Sequence, residues 1–159
     1  MITTCFMKIV LFLLSSFLVT LIACKKDSVE TKYSASQVLT PGLWQLKMLT
    51  VESPPGSGAA NITSVTFDPC ELDDLFEFKA GGNFSCIENT NVCALNAGVF
   101  YNLNGGMWVL SGDTLLTIAK GFNAQNFKFG KITANTIELQ QTTTNYLGEL
   151  TRYTFLINK

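Results

Sequence analysis

The chain has 159 residues, with 11 basic and 12 acidic side chains, no histidine and a formal net charge of −1. The missing imidazole excludes Ser-His-Asp and Cys-His catalysis, histidine metal sites and histidine pH switches together, and without a basic stripe nucleic acid is not an expected partner. Charged residues make up only 14% of the chain, against about 25% in average soluble domains. Runs such as "QQTTTN" and "NTNVC" supply the polarity instead, and Thr favours strands while Asn favours turns.

The first element is the apolar run Ile9–Ala23, preceded by Lys8 and ended by small residues and Cys24. It is shorter than the roughly 20 residues of a spanning helix and has the layout of an export signal. Leu21-Ile22-Ala23-Cys24 resembles the lipobox of bacterial lipoproteins, in which the thiol is acylated and becomes the first residue of the mature chain. The competing reading is a weak membrane helix with an incidental cysteine. Residues 1–23 are accordingly expected to be a lipoprotein signal peptide, with Cys24 carrying a palmitate-type anchor. Lys25 is not the Asp that retains lipoproteins in the inner membrane of enteric bacteria. The expected location is therefore the outer membrane, on its periplasmic or its surface face. Residues 24–40 read as lipidated Cys and polar tether, with a short helical turn near Ser36, and 41–159 as one domain.

Within that domain, apolar alternation bounded by Gly, Asn, Asp or Pro predicts strands at 43–51, 61–67, 74–79, 83–88, 98–103, 106–111, 114–119, 126–132, 136–143 and 150–157. Mergers would leave eight to ten. Short connections favour antiparallel neighbours, and "SPPGSGAAN" is the longest evident loop. The hairpin over 74–88 can be read in register. A turn at Ala80-Gly81-Gly82 sets Phe78 opposite Phe84 and Phe76 opposite Cys86, so all four share an inward face. Phe127 and Phe129, Ile137 and Leu139, and Tyr153, Phe155 and Ile157 mark further single faces. The stretch Met107–Ile118 is apolar on both faces, so its facing stays open. "GLWQL" and "GMWVL" share G-x-W-x-L, a two-fold repeat or a coincidence.

The same register sets Val92 opposite Cys70, which leaves Cys93 one residue away across the hairpin's open end. In an oxidising compartment Cys70–Cys93 is the expected disulfide, with Cys86 free as a small buried hydrophobe.

"LTPGLWQL", "DPCELDDLFEFKAGGNFSC" and "GGMWVLSGDTLLTI" are together similar to the lipocalin-like domains found as small lipoproteins of Bacteroidota. Gly42, Trp44, Cys70, Asp73, Asp74, Phe76, Phe78, Gly82, Phe84, Cys93, Gly106, Trp108, Leu110, Gly112, Asp113 and Leu115 match that pattern in order, over about residues 40 to 157. Cys86 departs from it. The resemblance implies an all-β, antiparallel, lipocalin-like β-barrel, with a β-sandwich as the alternative. Closure also removes the free edges of short strands. By the same resemblance Trp44 and Trp108 would pack at an end of the barrel. A ligand would meet the inward aromatics Phe76, Phe78, Phe84, Phe127, Phe129, Tyr153 and Phe155.

No enzymatic motif is present: no phosphate-binding glycine loop, and no second acid to pair with the cluster Asp68, Glu71, Asp73 and Asp74 as in a glycosidase. That cluster offers oxygens to calcium, but its spacing is not an EF-hand loop and acids at a strand mouth are ordinarily solvated. No cofactor and no metal is expected. Two functions follow. One is a membrane-anchored module that binds a small apolar or amphipathic molecule, neutral or cationic because acids lie at the mouth. The other is a non-enzymatic structural or interaction subunit of an outer-membrane or surface assembly, with a filled barrel.

Overall fold

The computed structural model describes residues 33–94 and 98–159. The signal-peptide reading of 1–23, Cys24 and most of the tether lie outside the described residues. Lys32–Lys159 form one compact unit. This moves the start of the domain ahead of position 41: the helical turn is a helix, α1 (Ala35–Leu39), and it buries Ala35, Val38 and Leu39. The last part of the tether therefore belongs to the core, because three apolar side chains on so short a helix are stable only against other apolar surface.

Among the described residues, nine strands lie in one antiparallel sheet: β1 (Leu43–Glu52), β2 (Ala60–Asn61), β3 (Leu75–Phe78), β4 (Phe84–Ile87), β5 (Met107–Ser111), β6 (Leu115–Lys120), β7 (Asn123–Ile132), β8 (Thr136–Thr144) and β9 (Leu150–Asn158). Their order is β4-β3-β1-β9-β8-β7-β6-β5, with β2 attached to β1. The outermost strands, β4 and β5, share no full ladder. An isolated bridge between Asn83 and Met107 joins them, with Trp108 N–H donating to the Gly82 carbonyl and Phe84 N–H to the Gly106 carbonyl. The sheet thus curls back on itself as an open barrel: its two edges meet at this one bridge, and no ladder closes them.

The register of the β3–β4 hairpin is the one its glycine turn dictates, with Phe76 opposite Cys86 and Phe78 opposite Phe84. In β1, Trp44 and Leu46 point inward; an irregularity between Leu46 and Met48 then shifts the parity and brings Leu49 inward. The facing that alternation left open is settled by pairing: Leu116 and Ile118 of β6 are buried, while Met107 and Val109 of β5 face outward and are exposed.

Two expected strands are corrected. Of the 61–67 region only Asn61 pairs with β1 as a strand residue, beside Ala60, and Thr63–Thr66 is a short helix, α2. Asn61 Oδ1 accepts from Thr63 N–H at 3.0 Å, and Thr63 Oγ1 accepts from Leu49 N–H at 2.8 Å. Side chains have taken the backbone bonds that a longer ladder would need. The 98–103 region is no strand either: Tyr101–Leu103 form a 3-10 turn. Strand parity would put Phe100 and Leu103 on opposite faces, whereas a 3-10 turn stacks positions i and i+3 on one, and both are buried. Burial of two large side chains overrode the local alternation.

Candidate functional site

The interior of the barrel is filled. Phe76, Phe78, Phe84, Phe127 and Phe155 are all buried, and Phe129 and Tyr153 are half-buried against the same core. The five buried rings pack on each other and on a residue the sequence did not single out. Phe100 is 3% exposed. Its ring lies 4.5 Å from Phe76, 5.5 Å from Phe155, 5.9 Å from Phe127 and 6.5 Å from Phe84, centroid to centroid. It arrives from the connection after β4, where the expected strand 98–103 does not form.

Towards one end, each tryptophan bonds to a backbone carbonyl outside the strands. Trp44 is wholly buried, its Nε1 donates to the Leu39 carbonyl of α1 at 2.9 Å, and Lys159 Nζ sits 4.8 Å above its ring. Trp108 is half-buried; its Nε1 donates to the Lys79 carbonyl in the β3–β4 turn at 3.1 Å, and it meets Phe78 edge-on. The glycines of the two G-x-W-x-L motifs answer different demands. Gly42 has φ +125°, a conformation that side chains oppose. At Gly106 a Cβ would stand 2.4 Å from the Ala119 carbonyl oxygen.

The acidic cluster lies towards the other end and divides by role. Asp68 and Glu71 form the capping box of α3 (Pro69–Leu72), with Glu71 Oε2 accepting from Asp68 N–H at 2.9 Å. Asp73 Oδ2 accepts from Asn91 N–H at 2.9 Å, and Glu88 Oε2 from Cys93 N–H at 3.4 Å. Asp74 is not the solvated acid expected at a strand mouth: it is only 4% exposed. It faces a cavity of about 10 Å³, the size of one water, that Phe76, Phe100 and Tyr101 also line. Burial, then the charges of Glu88 and Asp73, push its carboxyl up to about 6 against an opposing bond from the Asn89 amide. Lys79 lies just past the far end of β3, 3.3 Å from Glu77.

Cys70 and Cys93 are joined by a disulfide with Cα atoms 5.4 Å apart, which ties the 88–93 loop to α3. Cys86 is free and buried, with Sγ 3.9 Å from Asp74 Oδ2. Burial and then the Asp74 and Glu88 charges push its thiol up to about 12. A thiol so held is neither a nucleophile nor a ligand at neutral pH. Among the described residues, no three His, Cys, Asp or Glu side chains are arranged to hold a metal ion.

A second concavity, of about 260 Å³, lies on the outside of the sheet between Met48, Thr50, Glu52, Glu138, Gln140, Thr154 and Leu156. These residues come from β1, β8 and β9, and outward parity of each strand was the only sequence signal for it. Arg152 pairs with Glu52 at its rim, and the Gly56 amide followed by this guanidinium holds the Glu52 carboxyl below the ordinary range. Phe122 and Tyr146, at the tips of the β6–β7 and β8–β9 hairpins, are almost wholly exposed, and Leu147 beside Tyr146 is largely so.

No protein-family model matches the chain, and no curated protein matches it.

Proposed function

We propose that this is a non-enzymatic, extracytoplasmic interaction module, anchored to the bacterial outer membrane by a lipid on Cys24. The observation that carries this reading is the filled barrel. The inward aromatics that would line a ligand pocket are each other's neighbours, Phe100 occupies the centre, and the cavity beside Asp74 holds no more than a water. The burial of the Cys86 thiol, which pushes it up to about 12, and the missing histidine add to the case against catalysis. Exposed Phe122, Tyr146 and Leu147, on hairpin tips of the same barrel end, are the side chains offered to a partner protein.

The test is a panel of apolar fluorescent probes and lipids, together with photo-crosslinking from positions 122 and 146 in the native membrane. The expected result is no saturable probe binding, and a discrete protein adduct that Phe122→Asp removes. Saturable binding that weakens when Phe78 or Phe129 is enlarged or charged would return the chain to the second reading, a carrier of a small apolar or amphipathic molecule. One observation favours that rival: the central ring is supplied by a connection, so its displacement would vacate a pocket without breaking a strand.

A further inference from the structure

Three carboxylates meet the 88–93 loop, and each spends one oxygen on it. Asp73 accepts from the Asn91 amide, Glu88 from Cys93 and Asp74 from Asn89. The remaining oxygens, Asp73 Oδ1, Glu88 Oε1 and Asp74 Oδ1, are buried and have no hydrogen-bond partner. A buried ionised oxygen left in that state is costly, more so beside others of like charge. The groups facing Asp74 can be named element by element. They are Glu71 and Asp73 from α3 and its C-terminus, Cys86 from β4, Glu88 from the loop, and Tyr101 across the cavity. None is basic, and every charge acting on Asp74 is negative. The disulfide fixes one end of the loop to α3, so the carboxylates cannot separate by letting the whole loop drift. A water in the small cavity can serve Asp74 Oδ1, but it leaves the like charges facing each other, and that repulsion is relieved by a proton or by partial lifting of residues 88–92.

We propose that Asp74 is a proton-operated clasp: neutral, it lets the disulfide-tied 88–93 loop lie down on the barrel end, and ionised, it drives that loop off. Raising a carboxyl from its ordinary 3.8 to about 6 means the seated loop holds the proton better than the lifted one. The seated form is therefore favoured at acid pH, and the preference declines as pH rises from about 4 to about 6 and then levels. Phe76 and Phe100 line the same cavity as Asp74, so the clasp also decides whether water reaches the aromatic interior at that end.

The experiment is amide hydrogen exchange of the whole protein at steps from pH 5 to pH 8, corrected for intrinsic exchange rates and read on peptides covering 88–94. The linkage predicts that the opening constant rises about tenfold over this interval in the wild type. Asp74→Asn, which cannot ionise, should show equal protection at every step. Glu88→Gln keeps Asp74 and removes one repelling charge, and should move the midpoint to lower pH. Wild-type protection that does not change between pH 5 and pH 8, or a pH dependence that survives Asp74→Asn, overturns the proposal. Should Asp74→Asn not fold, an unmoved midpoint in Glu88→Gln overturns it equally.

Discussion

Phe100→Ala is the substitution that asks most of this structure. It removes a ring that is 3% exposed and has four aromatic partners at centroid distances from 4.5 to 6.5 Å. Deleting a packed Phe side chain to Ala costs about 3–5 kcal/mol. Ring pairs are worth about 0.5–1.5 kcal/mol each beyond their area, and four of them place this site at the top of that range, about 5 kcal/mol. A domain of this kind is stable by about 5–15 kcal/mol in total, so the variant should be marginal. Urea denaturation followed by tryptophan fluorescence reads the loss directly, Trp44 and Trp108 being the two indoles. The space left behind is walled by Phe76, Phe84, Phe127 and Phe155 and joins the small cavity beside Asp74 at one side, and a mainly aromatic cavity of that kind takes small aromatics. Benzene should therefore raise the melting temperature of Phe100→Ala and leave the wild type unchanged. A stability loss below about 1 kcal/mol, or no effect of benzene on the variant, would mean that Phe100 is not the centre of the barrel and that the filled-interior argument for function is wrong.

Three further outcomes follow from the same structure. Replacing Cys70 and Cys93 by Ser releases a loop with a sequence separation of 23 and should cost roughly 3 kcal/mol in the chain-entropy model. Unreduced peptide maps should join these two cysteines, and native Cys86 should resist iodoacetamide at pH 8; a cross-link through Cys86 would refute the pairing. Gly106→Ala drives a methyl to 2.4 Å from the Ala119 carbonyl and should lower stability by more than about 2 kcal/mol, whereas a neutral change would show that β5 and β6 are not so close. Cys24→Ser should move the protein to the soluble fraction and abolish labelling by a fatty-acid probe, and persistent labelling would discard the anchor.

Legibility in the sequence followed how local each determinant is. The β3–β4 hairpin could be read to the residue because its glycine turn fixes the register, and the register fixes both the inward phenylalanines and the approach of Cys93 to Cys70. Parity gave the inward faces of β7, β8 and β9 for the same reason. Helix α2 was hidden because Asn61 and Thr63 bond to nearby backbone, a choice that depends on where the β1 edge stands in space. Phe100 was hidden because "GVFYNL" alternates like a strand, and only the hole it fills tells the two apart. Asp74 looked like a solvated acid at a strand mouth; its burial depends on the loop that the distant Cys93 ties down. The outer groove assembles residues from both ends of the domain, and no local pattern contains it.

The position of β1 in the sheet has a kinetic consequence. It is the first strand made, and its long partner is β9, the last, with Gln45 opposite Asn158. Closing a contact across nearly the whole domain brings the loop-closure penalty early and its reward late, which slows folding. Until β9 arrives, β1 and β8 are both open edges with apolar inner faces, the kind of surface on which chains pair with each other. A chain shortened by its last strand would accordingly aggregate rather than fold into a smaller barrel, and the intact one stays dependent on protection until its final residues are in place.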